Sequence, residues 1–155
     1  MKFIVLAVGS RMPAWIDAGF EEYARRMPRA ARVELRELKP EKRTGASRER
    51  IMEAEAARIA AALPEGCEIV VLDERGKALT TAELAAQVAR WQEGGRDVAW
   101  IIGGADGLHP ELKRRASRMV SLSAFTLPHG LARVLLAEQL YRAVSLLAGH
   151  PYHRE

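Results

Sequence analysis

The stretch Val98-Ala99-Trp100-Ile101-Ile102-Gly103-Gly104-Ala105-Asp106-Gly107 decides the fold. Its first five residues are apolar without a break, which is how a parallel strand reads when helices cover both faces of its sheet. The glycines that follow end the run abruptly, as a strand-to-helix turn does. A second run of the same kind is Ile69-Val70-Val71-Leu72. Working outward, further extended runs lie at Lys2 to Val8, Val33 to Leu38, Glu68 to Leu72 and Met119 to Leu122. Between them, helical spacing marks 14–26, 47–61, 81–93, 110–117 and 131–148. Thr80 three residues before Glu83 makes a capping box, Pro110 suits a first helical turn, and Gly149 with Pro151 suits a helix end. Strands alternating with helices predict an α/β protein whose sheet is rich in parallel strands, with helices on both faces.

The chain has 155 residues, 48% of them apolar and 28% charged, which fits one globular unit spanning 1–155 and excludes collagenous, coiled-coil and disordered classes. Neither a repeat nor a Pro/Gly/Ser-rich linker divides it. Cys67 is the single cysteine, and residues 1–20 lack the arrangement of an export signal, so a cytoplasmic protein is expected. The longest apolar segment, 131–148, is broken by Arg133, Glu138, Gln139 and Arg142, which argues against a membrane span. Charge is sorted along the chain. Residues 25–50 hold ten Lys or Arg against four Glu, whereas 51–93 hold four against eight acids. One side is expected to face a polyanion or simply solvent.

In an open parallel sheet, ligands settle beyond the carboxyl ends of the strands, so the residues after Leu72, Ile102 and Leu122 are the candidates for chemistry. The turn Gly103 to Gly107 offers backbone that a ligand can approach closely, or is only a tight connection. It has no Walker lysine and no G-x-G-x-x-G, and Asp106 disfavours an anion there. Leu122-Ser123-Ala124-Phe125-Thr126-Leu127-Pro128-His129-Gly130 mixes apolar side chains with small hydroxyls. It suits the wall of an adenine site, or a buried connection whose Ser123 and Thr126 satisfy local backbone. The ending His150-Pro151-Tyr152-His153-Arg154 gathers a ring, two imidazoles and a guanidinium, a set able to stack and orient an unpaired base, or a frayed tail. A metal site from His150 and His153 lacks a third ligand, so no metal is expected. Lys113, Arg114, Arg115 and Arg118 are suited to phosphates or to solvation of a helix. Arg133 and Arg142, nine residues apart on one helix, point to opposite faces, and Arg142 shares its face with Leu135 and Glu138.

Taken together, Lys2-Phe3-Ile4-Val5-Leu6-Ala7-Val8-Gly9, Ile101-Ile102-Gly103-Gly104, Leu122-Ser123-Ala124, Thr126-Leu127-Pro128-His129 and His150-Pro151-Tyr152-His153-Arg154-Glu155 closely resemble the RlmH family, of the SPOUT class of RNA methyltransferases. The resemblance covers essentially the whole chain. It implies a homodimer with a carboxyl-terminal trefoil knot, S-adenosylmethionine as methyl donor, and methylation at N3 of a pseudouridine in helix 69 of 23S ribosomal RNA on assembled ribosomes. Carried onto this chain, the cofactor site falls on Leu72, Gly103, Leu122, Ser123, Ala124, Phe125, Thr126 and Leu127. Catalytic candidates are His129, Arg142, Tyr152, His153 and Arg154. His129, His153 and the terminal carboxylate are candidates for removing the N3 proton, Arg142 and Arg154 for stabilising charge on the ring oxygens, and Tyr152 for stacking the base. Two other classes stay open: a ribosome-binding factor without catalysis, and a nucleotide-binding α/β module.

Overall fold

A computed structural model describes residues 1–153; Arg154 and Glu155 lie outside the described residues, as does the side chain of His153. Five parallel strands form one sheet: β1 (Lys2–Val8), β2 (Arg32–Leu38), β3 (Glu68–Ala78), β4 (Val98–Ile102) and β5 (Arg118–Ser121). The helices are α1 (Ala14–Ala24), α2 (Arg48–Ala62), α3 (Thr81–Gly94), α4 (Pro110–Arg115) and α5 (His129–Leu147). The α/β expectation with helices on both faces therefore holds.

Side-chain parity assigns the layers. Phe3, Val5 and Ala7 of β1 and Val98, Trp100 and Ile102 of β4 face a core shared with Phe20 of α1, Val88 and Trp91 of α3, and Leu136 and Leu140 of α5. The alternate residues Ile4, Leu6, Ala99 and Ile101 face a smaller core with Ile59 of α2 and Leu112 of α4. Every residue of β4 is buried, because both faces are covered. Trp91 anchors the larger core, meeting Phe3 and Trp100 edge to face with ring centroids 6.1 and 5.8 Å away.

Strand order is β2-β1-β4-β3-β5. After β1 the chain steps outward to β2, whereas after β4 it crosses to β5 at the opposite edge. The chain thus diverges between β1 and β4, and a crevice opens beyond their carboxyl ends.

Several boundaries differ from the sequence reading, and three of them shape the crevice. β3 runs six residues past Leu72, with its pairing to β5 interrupted between Leu72 and Lys77 and resumed at Lys77 and Ala78. The polar Asp73-Glu74-Arg75 stretch hides this extension. Gly76 permits it, since a Cβ there would lie 2.6 Å from the Val120 backbone nitrogen. α5 begins at His129 instead of 131, because Pro128 carries helix-compatible φ into the first turn and its carbonyl accepts from the Ala132 N–H at 3.1 Å. β5 ends at Ser121, leaving Leu122 in the loop. The capping box at Thr80 and Glu83 and the position of Pro110 are as expected. No helix among the described residues is long and apolar enough to cross a membrane.

Candidate functional site

A cavity of about 700 Å³ occupies the crevice, within the range of about 300 to 1,000 Å³ usual for small-ligand sites. The ends of β1, β4 and β5 and the middle of β3 form its floor, and Leu72, Gly103, Leu122, Ser123, Phe125, Thr126, Leu127 and His129 all line it. Three segments distant in sequence therefore meet. Ala124 is exposed and is not among the lining residues. Val8, Met12, Pro40, Asp73, Glu74 and Leu108 also line the cavity and were not singled out from sequence. Asp73 and Glu74 directly follow Leu72, so the strand-end argument could have found them. Met12 and Pro40 follow β1 and β2, and only the strand order brings those ends to the crevice.

The walls are mainly aliphatic, with Ile102, Leu108, Leu122 and Leu127 among them, and backbone polar groups from the glycine turn. Such a lining fits an adenosyl group: apolar walls for the ring and few, fixed polar contacts for its edge. The turn itself is shaped by internal packing. A Cβ on Gly103 would lie 2.7 Å from Leu108 Cγ, and one on Gly104 would lie 3.0 Å from Glu55 Oε1. The Gly107 N–H donates to the Gly104 carbonyl at 3.0 Å and closes the turn. Absence of side chains at 103 and 104 is thus demanded from inside the protein.

Asp106 is not a bare negative charge in this turn. Arg43 donates to its Oδ1 at 2.8 Å, and Arg48 donates to its backbone carbonyl at 3.2 Å. Lys113, read from sequence as a candidate phosphate contact, is instead held by Asp73 at 2.8 Å. Arg114 pairs with Glu111. Burial alone would push the Asp73 carboxyl up; the Lys113 ammonium and the Arg75 backbone N–H outweigh it and hold the group below its ordinary range.

His129 starts α5 with its Nδ1 3.1 Å from the Gly103 carbonyl oxygen. Burial, followed by the neighbouring Arg133 guanidinium, lowers its pKa, so the ring is neutral near pH 7. A neutral ring beside a carbonyl carries its proton on Nδ1, which donates to Gly103. Nε2 is then a lone-pair acceptor; it is buried without a partner, and a Cβ on Gly9 would lie 3.6 Å from it.

Arg142 and Tyr152 assemble elsewhere, whereas Arg154 and the His153 side chain lie outside the described residues. Arg142 donates through Nε to Glu138 Oε1 at 2.8 Å, and its guanidinium carbon lies 4.9 Å from the centroid of the Tyr152 ring. The Tyr152 hydroxyl donates to the same Glu138 oxygen at 3.1 Å. Burial, then the Glu138 carboxylate, pushes the Tyr152 hydroxyl up to about 12, so it stays protonated at working pH. Arg142 lies thirteen positions beyond His129 on α5, about 20 Å at 1.5 Å per residue. Glu138 is the organising residue of this second cluster, and the sequence reading used it only as a neighbour of Arg142. Among the described residues, no group of three or more His, Cys, Asp or Glu is placed to hold a metal ion.

Comparison with known proteins places this geometry in a family. Residues 1–153 match the family model described as "Predicted SPOUT methyltransferase". A protein of Ralstonia nicotianae named ribosomal RNA large subunit methyltransferase H is 61% identical over 155 residues, covering 99% of both chains. The protein of that name from Nitrosospira multiformis is 59% identical over 155 residues, again covering 99% of both. Among solved structures, one described as giving structural insights into the 2-OH methylation of C/U34 on tRNA superposes with a TM-score of 0.51, at 17% identity, over 96% of this chain and 98% of that one. At that identity the likeness concerns the fold. With matches this close over nearly the whole length, the chain belongs to the SPOUT methyltransferase family, among the relatives named ribosomal RNA large subunit methyltransferase H.

Proposed function

We propose that this protein transfers a methyl group from S-adenosylmethionine to N3 of a pseudouridine in helix 69 of 23S ribosomal RNA, acting in the cytoplasm as a homodimer on assembled ribosomes. The observation that carries the proposal is the meeting of Leu72, the Gly103 turn and the Leu122 to Leu127 loop around one largely aliphatic cavity. Those are the segments the family resemblance assigns to the methyl donor. A trefoil knot at the carboxyl-terminal end belongs to the same reading, as the family resemblance implies.

The donor, when bound, supplies an electrophilic methyl group on a sulfonium. The chain then has mainly to hold the nucleobase in line with it, a task in which positioning contributes about 7 to 11 kcal/mol. His129 serves as a positioning residue, because its Nδ1 proton is given to Gly103 and its Nε2 is enclosed. Tyr152 remains a neutral phenol and suits stacking and hydrogen bonding, with Arg142 and Arg154 offering positive charge to the ring oxygens. Proton removal from N3 falls in this reading to the tail, at His153.

The two clusters lie too far apart in one subunit to act on one base. A twofold dimer that brings the Arg142 and Tyr152 cluster of one copy to the cavity of the other makes a complete site. Leu131, Leu135, Glu138 and Arg142 follow one another at spacings of three or four, so they form one stripe of α5. Leu135 is 38% exposed on that stripe, and Trp15 of the adjoining α1 is 61% exposed. These are apolar side chains suited to cover by a second copy.

The decisive experiment measures methyl transfer to ribosomes from a strain lacking the modification, with mass spectrometry of the product nucleoside and calorimetry of S-adenosylmethionine binding. Methylated N3 on the helix 69 pseudouridine is expected. Donor binding without transfer to any ribosomal nucleoside would overturn the substrate assignment, and no donor binding would overturn the proposal entirely.

A further inference from the structure

The basic stretch that the sequence isolates at 25–50 gives no charged side chain to the cavity lining, yet the fold brings its second half to the cavity's mouth. Pro40 lines the cavity, and the segment from Lys39 to Arg50 then runs along that side of the molecule into α2. The segment is built firmly. Glu55, 5% exposed on α2, accepts the Glu41 N–H through Oε2 at 3.0 Å. Arg58 donates to the Lys39 carbonyl at 2.8 Å and to Glu41 Oε2 at 3.0 Å. The far part of the loop is fastened to the glycine turn by Arg43 and Arg48 through Asp106.

These contacts divide the cations into two sets. Arg43, Arg48 and Arg58 are occupied in holding the loop, and Arg58 occupies Glu41. Lys39, Lys42 and Arg50 are exposed and form no ion pair among the described residues, although Glu49 and Glu53 stand nearby on α2. A fourth exposed cation joins them from the neighbouring strand end. Arg11, one residue before the cavity-lining Met12, has φ of 54°, in the left-handed region that a non-glycine residue occupies at a cost of about 1 kcal/mol or more. Because β1 and β2 are paired in parallel through Val8 and Leu38, the loops carrying Arg11 and Lys39 leave the sheet side by side.

We propose that Arg11, Lys39, Lys42 and Arg50 form a phosphate-contacting rim, which grips the backbone of the substrate RNA while the target base enters the cavity. The inference rests on the methyltransferase reading above and names the surface by which that site takes hold of its RNA. A firmly held, cationic edge next to a largely aliphatic cavity is the division of labour expected of such a surface, in which phosphate contacts set register and the cavity reads the base. Two of the neighbouring carboxylates are engaged elsewhere, Glu41 by Arg58 and Asp106 by Arg43, which leaves Glu49 and Glu53 against the four rim cations.

The test combines Lys39→Gln, Lys42→Gln and Arg50→Gln in the full-length protein, with Arg90→Gln on α3 as control. Ribosome binding is followed by cosedimentation across a salt series, and methyl transfer and donor calorimetry are measured in parallel. Each phosphate contact contributes about 0.7 to 0.9 to the slope of log affinity against log salt, so the triple variant should lose about 2 from that slope. Its KM for ribosomes should rise about tenfold or more, with kcat at saturation and donor affinity within about twofold of wild type. Adding Arg11→Gln should flatten the slope further, and restoring charge with Lys39→Arg and Lys42→Arg should recover it. An unchanged slope and KM, or a loss confined to kcat or donor affinity, overturns the rim. Cosedimentation needs no methyl transfer, so it decides the rim even if wild-type protein methylates nothing, a result that would overturn the catalytic reading alone.

Discussion

Arg133, wholly buried near the start of α5, donates through Nη1 to Glu37 Oε2 at the end of β2, 2.8 Å away. Its Nη2 donates to the Gly9 carbonyl at 3.3 Å, so one guanidinium joins α5 to the ends of two strands beneath the crevice. The pair is asymmetric: the Arg133 side chain has 0% exposure, whereas that of Glu37 has 40%. Removing Glu37 leaves an uncompensated cation inside the protein, while removing Arg133 leaves a carboxylate that water can reach.

Glu37→Ala should therefore lower stability by about 3 kcal/mol, toward the low end for breaking a buried pair because Glu37 is itself partly solvated. Arg133→Met, which keeps most of the side-chain volume, should cost less. Urea denaturation of both variants decides the matter, and an Arg133→Met protein less stable than Glu37→Ala would show that the bond to Gly9, not the buried charge, dominates.

The same residue shows what the sequence could and could not reveal. Periodicity separated Arg133 from Arg142 onto opposite faces, and the structure indeed buries one and leaves the other half-buried in the Tyr152 cluster. It could not show Glu37 as the partner of Arg133, because 96 residues separate them and only strand order brings them together. The central strands were legible because burial on both faces leaves an unbroken apolar signal, so Lys2–Val8 and Val98–Ile102 were read to the residue. The tail of β3 was illegible for the converse reason: a half-exposed, polar, glycine-containing segment carries no strand signature. The rule that ligands lie beyond strand carboxyl ends anticipated the ends of β4 and β5, and it reached Leu72 as well, although β3 continues past that residue. The contributions of Met12 and Pro40 required knowing which strands are neighbours.

His129 links stability to pH. Its folded-state pKa lies below the ordinary value of 6.5, first through burial and then through Arg133. Between that folded value and 6.5 the unfolded chain binds a proton that the folded chain does not, so the contribution is present above 6.5 and is lost as pH falls. The stability difference between wild type and His129→Asn should accordingly shrink from pH 7.5 to pH 5. Asn can still donate to the Gly103 carbonyl, so donor affinity should fall less in His129→Asn than in His129→Ala. A pH-independent difference would remove the neutral, buried imidazole from the account.

Asp106 and Arg43 hold the glycine turn from outside the cavity. The Arg43 side chain is 63% exposed, so the pair adds little to global stability, about 0 to 1 kcal/mol. Its effect should be local. Asp106→Ala should weaken S-adenosylmethionine binding severalfold with little change in melting temperature, and Arg43→Gln should reproduce the larger part of that loss. Equal donor affinity in Asp106→Ala and wild type, measured by calorimetry, would mean the turn holds its shape through Leu108 and Glu55 alone.

Leu135 and Arg142 occupy one stripe of α5, seven residues apart, and this ties assembly to catalysis in the proposed dimer. A charge at the exposed apolar position should separate the subunits while leaving each cavity intact, because Leu135 does not line it. Leu135→Glu, or Trp15→Glu on α1, is expected to sediment as a monomer, to bind S-adenosylmethionine within about threefold of wild type, and to lose methyl transfer by about a hundredfold or more, since positioning across subunits supplies much of the rate. Mixing Gly103→Val, in which the added side chain meets Leu108 and spoils the cavity, with an Arg142→Ala protein tests the shared site further: each alone lacks transfer, and recovery on mixing is expected only if a heterodimer pairs an intact cavity with an intact Arg142. A monomeric variant that still methylates ribosomes at the wild-type rate would place Arg142 and Tyr152 outside the reaction and confine the chemistry to a single chain.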